Sequence, residues 1–297
     1  MDAGDMRELL DSWLIALEAE RKSPHTVKQY RTGVRFFLDW CDANGEPPDM
    51  TDPGPARRWL ADLARQGLQG STLNSRFAAL RAFAMWLLAE DEIGAAGITR
   101  VGRPKIDEKA PPALTRAQIE AILGACAADK GFEGIRDEAM FSLMFDALVR
   151  SDELCAMAAD GDVNVRDRTV RVRRGKGGRE RWSAFSAQTA RRVDRYQRAR
   201  RRHKHAADPA FWVGRRGGLT YPGLYAAFKR RAEAAGVEAF PHMLRAGGAV
   251  NWRRQGGSTE SLLTIAGWRD VRMAMRYTKV AERELALEEA RRLFDGQ

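Results

Sequence analysis

Apolar residues recur at helical spacing along nearly all of this chain, and one segment from about Val163 to Phe185 departs from that spacing. There, TVRVRR alternates apolar and basic residues, GKGG supplies a turn, and RERWSAF returns. Alternation on both sides of a glycine turn is typical of a β-hairpin, whereas the spacing elsewhere is typical of amphipathic helices. We therefore predict a mainly α protein with a small β-sheet, a hairpin or three strands, whose arginines lie on one face.

A segment without hydrophobic period separates two helical regions. This segment, from Thr99 to Pro112 (TRVGRPKIDEKAPP), is rich in proline and charge, as linkers between domains often are. A chain of 297 residues is long enough for two domains with separate cores. We predict a helical domain over residues 1–100, a linker over 101–112, and a second domain over 113–297 that contains the hairpin and is mixed α+β.

Local signals predict where helices begin. Ser23 followed by Pro24 is a cap with a proline in the first turn. With the apolar periodicity, this signal indicates four short helices in the first domain. In the second domain, Thr115 and Gln118 form a capping-box pattern, and a further helix is expected from about Ile135 to Leu148.

The net charge of +10 is unevenly distributed. Residues 1–104 carry 13 lysines and arginines against 15 acids, whereas residues 105–297 carry 37 against 25. Between Arg166 and Lys204 there are 16 basic and three acidic residues. Such a field favours a polyanion, most often a nucleic acid. A solvated helix face would have the same composition, so charge alone does not decide.

Other residue types indicate the cellular setting. No apolar run approaches the length of a membrane span, and the first residues lack a cleavable hydrophobic segment, so we expect a cytoplasmic protein. Cys41, Cys126 and Cys155 are odd in number and widely spaced, which favours reduced thiols. The histidines offer one pair near metal-ligand spacing, His203 and His205, which lie in an arginine-rich run and are expected to be solvated or to face phosphate, so no metal site is expected.

Six residues have the side-chain chemistry of phosphodiester cleavage: Arg150, Lys176, His242, Arg245, Trp268 and Tyr277. A tyrosine that lies close to permanent cations can attack a phosphodiester, because the cations stabilise the phenolate and the charge that develops on the phosphate. Taken singly, nearly every one of these residues also has a structural explanation. The joint order and spacing of the six residues have no such structural explanation.

The first two candidates come from the segment that contains the hairpin and the helix before it. Arg150 follows the apolar run MFSLMFDAL and precedes Glu153 by one turn, which suits a guanidinium held by an acid and aimed at phosphate, or a structural ion pair. Lys176 lies at the predicted hairpin tip, where it could reach DNA and protonate a departing oxygen, or remain a solvated turn lysine. The arginines of this region that we expect to contact DNA are Arg171, Arg173, Arg174, Arg179 and Arg181.

The other four candidates lie near the C-terminal end. His242 and Arg245 share a helix face behind Pro241, close to the positive end of the helix dipole, where a phosphate oxygen could bind. The indole N–H of Trp268 is a donor that cannot change charge. Tyr277, with an ordinary pKa near 10, would need cationic neighbours to act as a nucleophile. The alternatives are a partly buried histidine, a surface arginine and two packed aromatic rings.

In this order the residues resemble the tyrosine recombinase (phage integrase) family. ALVRSDEL resembles the segment of its first arginine, GKGGRER that of its hairpin lysine, PHMLR its His-x-Leu-Arg box, and AGW its Gly-His/Trp position, with Tyr277 as the nucleophile. Two positions differ from the common pattern. Ala147-Leu148-Val149 stand where the family often has Thr-Gly before the arginine, and Trp268 stands where most members have histidine.

The resemblance implies an architecture and a reaction. An N-terminal helical core-binding domain would clamp DNA opposite a mixed α+β catalytic domain of tyrosine recombinase type. The scissile phosphate would be held by Arg150, His242, Arg245 and Trp268. Tyr277 would attack it to give a 3′-phosphotyrosyl link, Lys176 would protonate the 5′-hydroxyl, and Glu153 would support the site, with neither metal nor ATP nor other cofactor.

The resemblance also implies partners and leaves alternatives. The expected partner is double-stranded DNA with a specific recombination site, bound by a homotetramer on two such sites. In the resembling family a C-terminal helix docks on the neighbouring protomer, and docking in cis or in trans are both open for this chain. The protein would act at the nucleoid. A topoisomerase of type IB would use the same residues as a monomer, and a regulator derived from an integrase would bind DNA without cleaving it.

Overall fold

The structure is a computed structural model that describes residues 3–106, 111–173 and 180–295. It divides into two compact units, Met1–Glu108 and Lys109–Gln297. The predicted fold class, mainly α with a small β-sheet in the second unit, is confirmed. Within the described residues, no helix is both long and apolar enough to cross a membrane.

Over residues 3–106, the first unit is built from four helices and one short turn of 3-10 helix. They are α1 (Ala3–Ala19), α2 (Pro24–Asn44), α3 (Pro53–Arg65), α4 (Gly70–Ala89) and the 3-10 turn Gly97–Arg100. The Ser23 hydroxyl accepts a hydrogen bond from the Thr26 N–H at 3.1 Å, so the predicted cap starts α2.

The core of this unit is aromatic. Phe37, Phe77 and Phe83 are fully buried, and the ring of Trp13 stacks on that of Tyr30 at 5.3 Å between centroids. Burial of each such side chain contributes roughly 1.5–3 kcal/mol to folding, and the aromatic contacts add to it. The apolar residues of this unit recur at helical spacing because each helix buries one face in this shared core.

The second unit contains eight helices among the described residues. They are α5 (Arg116–Ala128), α6 (Phe132–Ala147), α7 (Ser151–Cys155), α8 (Ala187–Arg200), α9 (Tyr221–Ala234), α10 (His242–Arg254), α11 (Thr259–Ala266) and α12 (Val271–Phe294). The capping box at Thr115 and Gln118 is present, with the Thr115 N–H 2.9 Å from the Gln118 Oε1. Helix α6 is buried on nearly all sides between α5, α8 and α10, which explains the largely apolar run at residues 139–145.

Five short strands lie in the part of the second unit that the structure describes. An antiparallel sheet has the order β1 (Val163–Asn164), β2 (Thr169–Val172), β3 (Arg181–Ala184), and β4 (Val213–Gly214) pairs with β5 (Gly217–Gly218). The sheet at 163–184 was predicted, whereas the two-residue strands β4 and β5 are too short for a sequence period to reveal them. Residues 174–179, and with them Lys176, Arg174 and Arg179, lie outside the described residues.

The register of the sheet corrects one prediction. Arg171 pairs with Trp182, and Val172 pairs with Arg181. Because successive residues of a strand point to opposite faces, Arg171 lies on the outer face and Arg181 on the inner face. The arginines of the sheet therefore do not share one face.

The cysteines are free thiols, as predicted from their number and spacing. Cys41 and Cys126 are buried and Cys155 is partly buried. Burial raises the pKa of each thiol to about 12, so all three are protonated at neutral pH.

Candidate active site

The site is built around the end of helix α6. The helix ends at Ala147, and the next residue, Leu148, has a φ of 54° and a ψ of 34°, the left-handed conformation that favours glycine. This backbone turn directs the Leu148 carbonyl toward Arg245, whose Nη1 donates a hydrogen bond to it. The leucine side chain is buried, so packing holds a backbone conformation that a leucine would otherwise avoid.

Arg150 and Glu153 bind each other at the start of α7. The Glu153 Oε2 accepts the Arg150 backbone N–H at 2.8 Å, and its Oε1 accepts the Arg150 Nη1 at 2.7 Å. A carboxylate at the third position of a helix satisfies a backbone donor that has no partner within the helix. The acid thus caps α7 and orients the arginine with the same two oxygens.

Glu153 is also the centre of a larger cationic cluster. Arg181 donates from Nη1 and Nη2 to its two oxygens at 2.8 and 2.6 Å, and the Arg245 Nη1 lies 3.9 Å from Oε2. Burial raises the pKa of Glu153, but the hydrogen bonds from Arg181 and from the Arg150 N–H outweigh it and bring that pKa to about 2. The carboxylate is therefore ionised throughout the neutral range.

Two glycines allow helix α10 to bring Arg245 into the interior. A Cβ at Gly247 would lie 2.5 Å from the Leu114 carbonyl oxygen, and one at Gly248 would lie 2.1 Å from that of Phe145. The close approach buries Arg245 to 1% exposure, with its Nη2 2.5 Å from the Ala266 carbonyl oxygen. Burial first, and repulsion from Arg150 second, lower the pKa of this guanidinium, so an added anion would be stabilised beside it.

Three rings complete the site. Gly267, with a φ of 63°, ends α11 and turns the chain to Trp268. The Trp268 ring stacks on the Tyr277 ring at 5.0 Å between centroids and 5° between planes, and the Arg245 Cζ lies 5.3 Å from the indole centroid. The Tyr277 hydroxyl and the His242 Nε2 are 2.8 Å apart, within hydrogen-bond distance.

The electrostatics of His242 favour its neutral form. Partial desolvation, followed by repulsion from Arg245, Arg150 and Arg276, lowers its pKa from the usual 6.5. A neutral imidazole with Nε2 unprotonated can accept the Tyr277 proton. The arrangement therefore places a phenol that can act as a nucleophile beside an imidazole that can act as a base, with fixed cations next to them.

Five of the six predicted residues come together, namely Arg150, His242, Arg245, Trp268 and Tyr277, and Glu153 binds Arg150 and lies near Arg245. Lys176 lies outside the described residues. Within the described ranges, no three histidine, cysteine or acidic side chains are placed to hold a metal ion.

The predicted DNA-contacting arginines divide into two groups. Arg171 and Arg173 have side chains 36% and 48% exposed, although each is paired with an acid, Glu180 and Asp162 respectively. Arg181 does not fit its prediction, because its side chain is 9% exposed and its guanidinium is bound to Glu153. Sequence reasoning missed this role, because the register that places Arg181 opposite the apolar Val172 is a property of the folded sheet and not of the run of basic residues.

Residues 112–284 match the phage integrase family, and residues 10–91 match the phage integrase N-terminal SAM-like domain. The chain belongs to the phage integrase family, whose members are tyrosine recombinases. It is 29% identical over 266 residues to tyrosine recombinase XerD of Ralstonia nicotianae, covering 88% of this chain and 85% of that protein.

Solved structures show the same fold. The XerH site-specific recombinase bound to its palindromic difH substrate, in a post-cleavage complex, aligns with a TM-score of 0.73 and 16% identity over 91% of this chain and 80% of that one. The lambda integrase tetramer bound to a Holliday junction aligns with a TM-score of 0.71 and 15% identity over 92% and 76% of the two chains. The predicted fold of tyrosine recombinase type is confirmed.

Proposed function

We propose that this protein is a site-specific DNA recombinase that cuts and rejoins DNA through a covalent 3′-phosphotyrosyl intermediate. The observation that carries the proposal is the Tyr277 hydroxyl, 2.8 Å from the His242 Nε2, on a ring that stacks on Trp268. The same indole lies 5.3 Å from the Cζ of the buried Arg245. Family membership and the resemblance to recombinases support the same conclusion.

The charge of the site matches a phosphodiester under attack. Arg150, Arg181 and Arg245 carry three positive charges and Glu153 one negative, which leaves a net charge of +2. A phosphodiester has one negative charge, and attack by an oxyanion raises the charge of the pentacoordinate state to two. Fixed cations therefore stabilise that state more than the bound substrate, which is the requirement for acceleration.

The reaction then follows from the side-chain chemistry. His242 accepts the Tyr277 proton, the phenolate oxygen forms a bond to phosphorus, and the bond between phosphorus and the 5′-oxygen breaks. Lys176 gives a proton to the departing oxygen, which leaves as a 5′-hydroxyl. A 5′-hydroxyl from a second duplex reverses the steps and exchanges the strands, so the bond energy stays in the phosphotyrosine without ATP.

Trp268 acts as a wall of the site and as a hydrogen-bond donor. Its ring lies parallel to that of Tyr277, which limits the rotation of the nucleophile. Among the described residues, none accepts a hydrogen bond from its indole N–H, so a non-bridging phosphate oxygen can take that place. This donor remains neutral, and proton transfer falls to His242 and Lys176.

The DNA would be bound by both units. In the first unit, which we assign to residues 1–100, an open groove between α2 and α4 is lined by Lys28, Gln29 and Arg76, and the Arg76 guanidinium stacks over Phe36 at 3.9 Å. Cations and amides along such a groove suit phosphate and base-edge contacts. In the catalytic unit, assigned to 113–297 after a linker at 101–112, the exposed Arg171 and Arg173 would add phosphate contacts.

We further propose a homotetramer on two recombination sites, acting at the nucleoid. The lambda integrase structure is such a tetramer on a Holliday junction, and its fold is shared. At the C-terminal end of α12, Leu287, Leu293 and Phe294 have exposed fractions of 51%, 70% and 87%, which suits docking on a neighbouring protomer.

The test uses a nicked suicide substrate that contains the target site, analysed on a denaturing gel. We expect a covalent protein–DNA adduct without added metal, and none with Tyr277→Phe, which still binds the same DNA. An adduct that persists in Tyr277→Phe would refute the assignment of the nucleophile. Relaxation of a supercoiled plasmid without strand exchange would instead indicate a topoisomerase, and binding without any adduct a regulator.

A further inference from the structure

Arg181 is a buried arginine at the start of β3, outside the six residues of the proposed reaction. It faces inward opposite Val172, with 9% of its side chain exposed, while the neighbouring Arg171 and Arg173 face solvent. Arginine is rarely buried unless its charge is paired. The contacts of its guanidinium explain why it is buried.

All three nitrogens of that guanidinium have acceptors. Nη1 and Nη2 donate to the two oxygens of Glu153 at 2.8 and 2.6 Å, and Nε donates to the Ile265 carbonyl oxygen at 3.0 Å. Two parallel bonds to one carboxylate fix its plane as well as its position. Lysine cannot reproduce this geometry, because an ammonium is a point charge without a fork of donors.

The same carboxylate orients the phosphate-binding arginines. Glu153 accepts the backbone N–H and the Nη1 of Arg150, and its Oε2 lies 3.9 Å from the Arg245 Nη1. A displacement of Glu153 would therefore displace the Arg150 guanidinium. Arg181 donates to the same two carboxylate oxygens as Arg150, which couples strand β3 to the start of α7.

A second set of contacts reaches the turn that carries Trp268. A Cβ built at Gly267 would lie 2.9 Å from the Arg181 Cδ and 3.1 Å from its Nε, so the arginine stem lies directly against this backbone. The Ile265 carbonyl, which accepts from Nε, belongs to the last turn of α11. Arg181 thus contacts both segments that hold the cationic side and the aromatic side of the site.

We propose that Arg181 is a positioning residue for DNA cleavage: it holds Glu153 against Arg150 and supports the turn that presents Trp268 to Tyr277. This inference rests on the proposed function. Because Arg181 is buried, its loss leaves DNA affinity unchanged. The loss of Arg181 does allow the Arg150 guanidinium to shift, and a misplacement of about 1 Å costs on the order of 100-fold in cleavage rate.

The first measurement is single-turnover cleavage of the nicked suicide substrate by Arg181→Lys. We expect the rate to fall on the order of 100-fold, with an unchanged dissociation constant for the uncleaved duplex. Cleavage at the wild-type rate would overturn the proposal. Arg116→Lys is the matched control, since Arg116 forms an exposed pair with Glu120 and its replacement leaves the cleavage rate unchanged.

The second measurement separates positioning from a general structural role. A substrate with a neutral methylphosphonate at the scissile position lacks the charge that Arg150 stabilises. We expect Arg181→Lys, like Arg150→Ala, to slow cleavage of this substrate far less than cleavage of the phosphodiester. The ratio of the two rates in one preparation does not depend on the folded fraction, so partial unfolding cannot produce this result.

The outcomes distinguish the two proposals. Equal losses on both substrates would overturn the positioning role, because a purely structural defect lowers both rates by the same factor. A wild-type protein that forms no Tyr277 adduct on either substrate would overturn the proposed function itself. A wild-type adduct together with a selective loss in Arg181→Lys would support both.

Discussion

The substitution Glu153→Gln keeps the shape of the side chain and removes the charge that Arg150, Arg181 and Arg245 surround. The pKa of this carboxyl falls from its usual 4.5 to about 2 in the folded protein. A shift of about 2.5 units corresponds to about 3 kcal/mol of stabilisation by the ionised form, at 1.36 kcal/mol per unit. Because 5% of the side chain is exposed, solvent screening reduces this value little.

The sign of the pH dependence follows from the direction of the shift. A depressed folded-state pKa means that the stabilisation is fully present above pH 4.5 and is lost as the pH falls toward 2. We therefore expect Glu153→Gln to be about 3 kcal/mol less stable than the wild type at pH 7. For a unit of this size the melting temperature should fall by roughly 6–12 °C, and the difference should shrink below pH 4.

The assay is urea unfolding of both proteins at pH values from 7 to 3, followed by circular dichroism. The difference in the free energy of unfolding between the two proteins isolates the contribution of this carboxyl, because the other acids titrate equally in both. Glu120→Gln is the matched control, because Glu120 forms an exposed pair with Arg116 and should change stability by less than about 1 kcal/mol. A Glu153→Gln protein as stable as the wild type at pH 7 would refute the reasoning.

Two further predictions concern His242 and Leu148. The pKa of His242 lies below 6.5, and in the proposed reaction its neutral form accepts the Tyr277 proton. The rate of single-turnover cleavage should therefore be independent of pH near 7 and fall as the pH drops through that pKa. A rate that already falls with decreasing pH above 6.5 would contradict this. Leu148→Ala should destabilise the protein by about 2–5 kcal/mol, because a buried side chain is lost. Leu148→Gly should be about 1 kcal/mol more stable than Leu148→Ala in urea unfolding, because φ is 54°, and the reverse order would contradict the strain argument.

The sequence by itself determined the helices and the candidates for the reaction. The cap at Ser23 and the capping box at Thr115 involve contacts within four residues, so the residues that make them are adjacent in the sequence. The spacing of His242 and Arg245 on one turn is local in the same way. Tyr277 was identified as the proposed nucleophile from a family pattern, and that pattern consists of the order and spacing of residues along the chain.

The tertiary structure decided the contacts between distant parts of the chain. Arg181 binds Glu153 across 28 positions, and Arg245 donates to the Leu148 carbonyl across 97. In the sequence, Arg181 is one of a run of basic residues and has no feature that separates it from Arg171 or Arg173. Only the register that pairs it with Val172, and the packing that brings α7 and α11 to either side of it, distinguish a buried ion pair from a solvated charge. Burial and pairing depend on which segments meet in space, and no local spacing encodes that.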